Sequence, residues 1–367
     1  MNRIAVWNTA FLGDAVLTLP LVQSLKLAYP DTPLDLYVRG GFAPLFTAHP
    51  AIASVYSFSK ASSGAKWRQT LAARNEYAER GYDLWVCAHP GLRSGLVARL
   101  SQAATRVGYM EVPFSSLWFT KRISRSFSRL EEVERLLELL RPLGVAPAAT
   151  VPELHLPEPA LYAADIFFSS LNQGHGNAPV LGLHPGSVWA TKRWPARYFA
   201  QVGKLALASG AVLVIFAGPG EEAVALEVVD ALEALVPQEA MGRVYDLSSR
   251  LSLVELAAYI RRLSCYLTND SGPMHLAWAQ GVPTAALFGP TVRELGFYPR
   301  GETSKVFEIT IDCRPCGRHG HETCPKKHHR CMEDLLPEMV WPYVAEKLDA
   351  GYKNCGVATD TCGAEGT

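Results

Sequence analysis

The residues best suited to chemistry lie in LTNDSGPMHLAWAQGVPTAALFGPT, from Leu267 to Thr291. An apolar, strand-like run delivers Asn269, Asp270, Ser271 and Gly272 to its carboxyl end, and Pro273 suits the first position of a following helix. Exposed amides at such a helix start, together with the Ser271 hydroxyl, suit a phosphate group. His275 follows one turn later, on a face able to look back at the same anion. An ordinary strand-to-helix cap by Asp270 or Ser271 is the alternative reading. A second loop, HPGSVWATKRWP at 184–195, also follows a strand and precedes a helix. Gly186 allows close backbone approach, Ser187 and Thr191 offer hydroxyls, and Lys192 and Arg193 offer positive charge to a diphosphate. Lys192 and Arg193 also read as a solvated surface pair, which two anion-suited loops in one sheet make less attractive. A third loop, AGPGEEA at 217–223, sets Glu221 and Glu222 after a strand, where a carboxylate can accept both hydroxyls of a ribose. Acids at a helix start are also favoured by the helix dipole alone. Near the N-terminus, FLGDAVLTLP puts Gly13 and Asp14 in the loop between the first strand and its helix, where an Asp can cap the helix or act in chemistry.

Two further stretches stand out. CRPCGRHGHETCPKKHHRC carries Cys313, Cys316, Cys324 and Cys331 in the spacing C-x2-C-x7-C-x6-C, interleaved with His319, His321, His328 and His329. Thiolates and imidazoles in such a cluster favour zinc, so a structural zinc is the leading expectation, with free reduced thiols or a disulfide as alternatives. Cys87 and Cys265 fall instead in apolar strand-like runs and read as small buried thiols. FSSLWFTKRISRSFSR at 114–129 carries Lys121, Arg122, Arg125 and Arg129 with four aromatic residues and no acid, and HPGLRSG adds Arg93. Such a stretch suits an anionic lipid surface, or is a solvated helix face.

The elements that must position these residues alternate in type. RIAVWN, LDLYVR and YDLWVCAH read as strands, with helices from about Ala15 to Ala28, near 92–102 and over RLEEVERLLELLRPLG. VAPAATVPELHLPEPA is rich in Pro and Ala and reads as a linker. The rhythm then restarts with PVLGLHPGS, a helix around 196–209, AVLVIFAGPG, EEAVALEVVDALEAL, VYDLSS, SLVELAAYIRRL, CYLTND, a helix from Pro273, and PTAALFGPT. Alternating strands and helices imply parallel sheets. The expectation is therefore an α/β chain of two Rossmann-like domains facing across a cleft. The expected boundaries are one domain over residues 1–160, a second over 161–350 that includes the Cys-rich segment, and a flexible tail over 351–367.

Bulk properties agree with two α/β domains and exclude some classes. The 367 residues are 49% apolar and 19% charged, enough to bury two cores. Formal charge is zero and the isoelectric point about 7.1, so no global attraction to nucleic acid is encoded. Asn8 and Asp14 interrupt the N-terminal apolar stretch, arguing against a secretion signal. No apolar run approaches the roughly 20 residues of a membrane span. The expected location is the cytoplasm, peripheral to the inner face of the cytoplasmic membrane. A nucleotide-dependent Rossmann oxidoreductase is the competing class, but the opening loop lacks a G-x-G-x-x-G run.

Taken together, GDAVLTLP, HPGS followed by KRWP, and TNDSGPMHLAWAQGVPTAALFGPT resemble glycosyltransferase family 9, the heptosyltransferases, over residues 1 to about 335. The resemblance implies a B-type glycosyltransferase fold and inverting, metal-independent transfer of a heptose from ADP-heptose to the inner core of lipopolysaccharide. No cofactor is implied for catalysis. The second heptosyl transfer fits best by general likeness, and another sugar or acceptor within the family is the alternative. Asp14 then corresponds to the catalytic base. Ser187, Thr191 and Lys192 fall in the diphosphate loop, with Lys192 also serving the leaving group. Asp270, Ser271, Gly272 and His275 correspond to the donor-phosphate motif. Glu222, or Glu221 beside it, corresponds to the ribose-binding acid, and Leu251 to a position near the base. Arg93, Lys121, Arg122 and Arg125 become candidates for the lipid-anchored acceptor.

Overall fold

The computed structural model describes residues 1–58, 70, 74–127 and 129–356. Two compact units divide the chain, one of residues 1–157 with 294–297, the other of 158–293 with 298–367. Each is built on a parallel six-stranded sheet.

In the first unit the strands are β1 (Ile4–Asn8), β2 (Leu34–Arg39), β3 (Ser54–Phe58), β4 (Leu84–Cys87), β5 (Thr105–Tyr109) and β6 (Lys121–Ile123), in the order 3-2-1-4-5-6. β1 and β4 are buried along their whole length, as expected of parallel strands covered on both faces. Strand order reverses between β1 and β4, so the helix start after β1 lies at the switch point where α/β sheets bind ligands, and Asp14 sits in the first turn of that helix rather than in a loop. β3, β5 and β6 escape the sequence reading. β6 lies within the basic stretch, at the sheet edge, where Lys121 and Arg122 keep the edge charged.

The predicted helix Ala15–Ala28 begins earlier and is broken in two, Leu12–Leu17 and Leu19–Ala28. Pro20 has no N–H to give the Val16 carbonyl, and its ring crowds the preceding turn. The Asp14 carbonyl is met instead by Thr18 Oγ1 at 2.7 Å and Asn8 Nδ2 at 3.1 Å. Residues 294–297 return to this unit through Gly296, at φ +83°, whose carbonyl accepts from the Glu132 N–H at 2.9 Å. A Cβ there would lie 2.7 Å from Glu131 Cα, so the contact requires glycine.

The second unit repeats the plan with β7 (Val180–His184), β8 (Val212–Ile215), β9 (Val244–Asp246), β10 (Cys265–Asn269), β11 (Thr284–Leu287) and β12 (Ser304–Phe307), ordered 12-11-10-7-8-9. Its switch point lies between β7 and β10, the strands that carry the HPGS and NDSG loops. The core joins β7, β8, β10 and β11 to the helices Ala196–Ala208, Glu222–Glu233 and Pro337–Gly356. That last helix runs into the predicted tail, of which 357–367 lie outside the described residues. The linker has no regular structure before the helix Glu158–His175 begins.

Candidate active site

In the second unit, Asn269 at the end of β10 binds both ends of the 184–195 loop. It accepts from the Trp194 N–H at 3.0 Å and donates to the Pro185 carbonyl at 2.8 Å. The loop and the helix Gly272–Trp278 then border a cavity of about 210 Å³. Ser187, Glu221, Ser271 and Gly272 supply its polar wall, and Leu247, Leu251, Leu253 and Leu256 an apolar one. Ser271 Oγ is buried and has no hydrogen-bond partner among the described residues.

Glu221 reaches over Gly186, where a Cβ would lie only 2.2 Å from its Oε2. Burial alone would raise its pKa. The His184 imidazole at 3.8 Å and the Gly218 N–H at 3.3 Å outweigh that, holding the carboxyl below its ordinary range. Tyr266, a deeply buried phenol, lies 2.8 Å from His184 Nδ1, and a phenol donating there leaves the ring proton on Nε2, facing Glu221. Glu222, the first choice from sequence, is exposed outside this lining, accepting from the Gly220 N–H and the Ser249 hydroxyl. Glu221 is the acid that enters the cavity, because the backbone turns at Gly220 before the helix begins.

Beside the cavity, Lys192 Nζ lies 2.5 Å from Asp270 Oδ2, and the Thr291 hydroxyl donates to the same oxygen. Burial would raise the Asp270 pKa, but the Lys192 ammonium and the Thr291 hydroxyl overcome it and keep the carboxylate ionised. Burial lowers His275 to about 4, so its imidazole is neutral, and its Nδ1 has no hydrogen-bond partner. Asp270 thus holds the lysine rather than offering a surface to an anion. Thr191 also departs from expectation. Its hydroxyl both donates to the His321 carbonyl and accepts from the His321 N–H, leaving nothing for a phosphate.

In the first unit, Asp14 Oδ2 accepts from the Phe11 N–H at 3.1 Å, tying the carboxylate to the helix start. Burial and the nearby Glu132 carboxylate raise its pKa from 3.8 to about 6, against the opposing pull of the Phe11 N–H and Arg125. A carboxylate poised near neutrality is fitted to take a proton.

The acceptor candidates fare unevenly. Arg93 stacks over Phe58 at 4.7 Å, and its Nη1 is buried without a hydrogen-bond partner among the described residues. Arg122 is exposed, whereas Lys121 donates to the Pro142 carbonyl. The Arg125 guanidinium is tied to both oxygens of Glu132 at 2.5 and 2.7 Å and is largely buried. Arg129 is exposed. The zinc expectation also meets a different arrangement. Cys313, Cys316, Cys324 and Cys331 are free thiols, with Cys331 buried in the core. Among the described residues no three His, Cys, Asp or Glu side chains form a group able to hold a metal ion.

Sequence reading missed His184, Tyr266 and Thr291. His184 sits in the quoted HPGS motif, and its place at the end of a predicted strand was the available signal. Tyr266 and Thr291 become visible only when β7, β10 and β11 are laid side by side.

Residues 71–328 match the family described as glycosyltransferase family 9 (heptosyltransferase). The chain is 27% identical over 339 residues to lipooligosaccharide heptosyltransferase 2 of Campylobacter jejuni, covering 92% of this chain and 96% of that one. Among solved structures it is similar to a family 9 glycosyltransferase of Veillonella parvula, with TM-score 0.81, 24% identity, and 95% and 98% of the two chains covered. It is also similar to the E. coli ADP-heptose lipopolysaccharide heptosyltransferase II, with TM-score 0.76, 20% identity, and 95% and 99% covered. The paired parallel sheets are those of the B-type glycosyltransferase fold, and the chain belongs to glycosyltransferase family 9.

Proposed function

We propose that this protein transfers a heptose from ADP-heptose to the inner core of lipopolysaccharide, with inversion at the anomeric carbon and without a catalytic metal. The observation that carries the reading is one cavity in which an ionised Glu221, an unpartnered Ser271 hydroxyl, the Gly272 helix start and a leucine wall meet beside Lys192. Glu221 accepts from the ribose hydroxyls, the leucines including Leu251 flank the adenine, and Ser187, Ser271 and the amides at Gly272 receive the diphosphate.

In the reaction, Asp14 takes the proton of the acceptor hydroxyl. The acceptor oxygen forms a bond to the anomeric carbon as the carbon–oxygen bond to the diphosphate breaks, and the electron pair leaves with ADP. Lys192 and the amides at Gly272 stabilise the charge that gathers there, which is where such stabilisation acts most strongly.

On this reading the enzyme works in the cytoplasm against the inner leaflet. Exposed Met110, Phe114 and Leu117 precede exposed Lys121 and Arg122, a pairing of apolar and basic groups suited to an anionic lipid surface. Arg93, in the first turn of the helix Leu92–Leu100, is the further candidate to meet the anionic acceptor. Among the described residues no helix is long and apolar enough to cross a membrane.

The test mixes the protein with ADP-heptose and defined truncated core acceptors and identifies products by mass. One added heptose on one acceptor is expected. Transfer only from a different sugar nucleotide, or a thermal shift given by NAD and not by ADP, would overturn the reading.

A further inference from the structure

We propose that the Cys- and His-rich segment, residues 313–331, is a strap that sets the position of Lys192, with His321, His329 and Gly320 as positioning residues for the donor-phosphate site. The proposal rests on the donor-site reading above.

Thr191, the residue before Lys192, is buried, and every polar atom it has is held by the strap. Its N–H donates to the His321 carbonyl at 3.0 Å, and its hydroxyl donates to that carbonyl at 2.9 Å while accepting from the His321 N–H at 2.8 Å. Its own carbonyl accepts from His329 Nε2 at 2.8 Å. The 3₁₀ turn Ala190–Lys192 is too short to fix itself, so these bonds determine where Lys192 stands. Gly320 lies against the same turn. A Cβ there would sit 2.5 Å from Trp189 Cβ and 3.0 Å from Lys192 Cγ, and no positive φ marks the position. Space alone therefore demands glycine.

The strap also holds the lysine's partner. Arg314, almost fully buried, donates to the carbonyls of Gly289, Ile309 and Thr291 and to Glu308, and the Cys316 N–H donates to the Pro290 carbonyl at 3.0 Å. These bonds fix the loop whose Thr291 hydroxyl meets Asp270. One segment thereby grips both sides of the Lys192–Asp270 pair. Cys324 Sγ accepts from the His329 N–H at 3.4 Å, and Cys331 and Met332 anchor the far end in the core.

The test uses full-length His329→Ala, His329→Gln and Gly320→Ala, each alone and combined with Lys192→Met. ADP affinity is measured by calorimetry, kcat and KM by heptose transfer, and folding by melting temperature. His329→Ala and Gly320→Ala should each weaken ADP binding and lower kcat by about tenfold, the scale of a lost hydrogen bond to a buried carbonyl. His329→Gln, which keeps a side-chain N–H, should recover most of both. In the Lys192→Met background the same changes should add less than about twofold, because the residue they position is gone. Unchanged ADP affinity and kcat in the folded single variants overturn the strap, as does an equal loss with and without Lys192. Should His329→Ala fail to fold, His329→Gln and Gly320→Ala decide the matter. A native protein that binds no ADP instead overturns the donor-site reading.

Discussion

Lys192 and Asp270 form an ion pair of 2.5 Å with only 11% and 9% of their side chains exposed. A pair this enclosed fixes the lysine in place before any anion arrives, so the positive group need not be ordered at the moment of reaction. On the proposed reading it also divides labour, with Lys192 serving the leaving group and Asp270 acting through Lys192.

Lys192→Ala should therefore do two kinds of harm. It strands a buried carboxylate, with a stability loss on the order of 3 kcal/mol, and it removes charge from the diphosphate site. Asp270→Asn should weaken ADP binding too, though less than Lys192→Ala, because the amide oxygen can still accept from Thr291 and from Lys192 while the carboxylate that fixes the ammonium is lost. Calorimetric titration of both variants checks this. If Asp270→Asn loses ADP as Lys192→Ala does, the carboxylate is itself a donor ligand.

Catalysis should follow the ionisation of Asp14, which burial and Glu132 raise to about 6. The rate at low substrate should climb about tenfold per pH unit below 6 and level off above it. A stopped rise near pH 4, or none, would show that another group takes the proton. Asp14→Asn should lower kcat by about 10²- to 10⁴-fold.

The same carboxyl carries a stability signature of opposite sense to an ordinary salt-bridged Asp. Its folded pKa lies above the unfolded value, so the folded state binds the proton more tightly, and the stability this gives below pH 4 is lost as pH rises to about 6. At pH 7.5 Asp14→Asn should melt higher than the native protein by a few degrees, equivalent to about 1–2 kcal/mol, while keeping the bond from the Phe11 N–H. Near pH 4 the difference should vanish. Melting curves at the two pH values decide it.

Much of the site was legible because its residues are local in sequence. NDSGP and HPGS each place several functional atoms within one strand-to-helix turn, and the strand ends that carry them announce themselves by apolar runs. What sequence could not give were relations across strands. Glu221 and Glu222 are indistinguishable by type and position, and only the close approach of Gly186 from β7 shows which one enters the cavity. Arg125 looked free because its partner, Glu132, is seven residues away on another element. The Thr191 hydroxyl looked available because His321, its partner, is 130 residues distant. The helix break at Thr18 was foreshadowed by Pro20, although apolar periodicity alone ran through it.

The two neighbouring glutamates give the sharpest test of the nucleotide pocket. Glu221 is held below the ordinary carboxylate range by His184 and the Gly218 N–H, so at neutral pH it is an acceptor only, which suits a pair of ribose hydroxyls. Glu222 already spends its oxygens on Gly220 and Ser249 at the outer rim. Native protein should therefore bind ADP about ten- to a hundredfold more tightly than 2′,3′-dideoxy-ADP, the range expected for hydrogen bonds to a charged group. Glu221→Ala should erase that preference while leaving a residual affinity from the diphosphate contacts, and Glu222→Ala should preserve it. Gly186→Ala should behave like Glu221→Ala, because its methyl group would occupy the place of the Glu221 carboxylate. Should Glu222→Ala abolish discrimination and Glu221→Ala retain it, the ribose lies at the outer rim and the cavity holds another part of the donor.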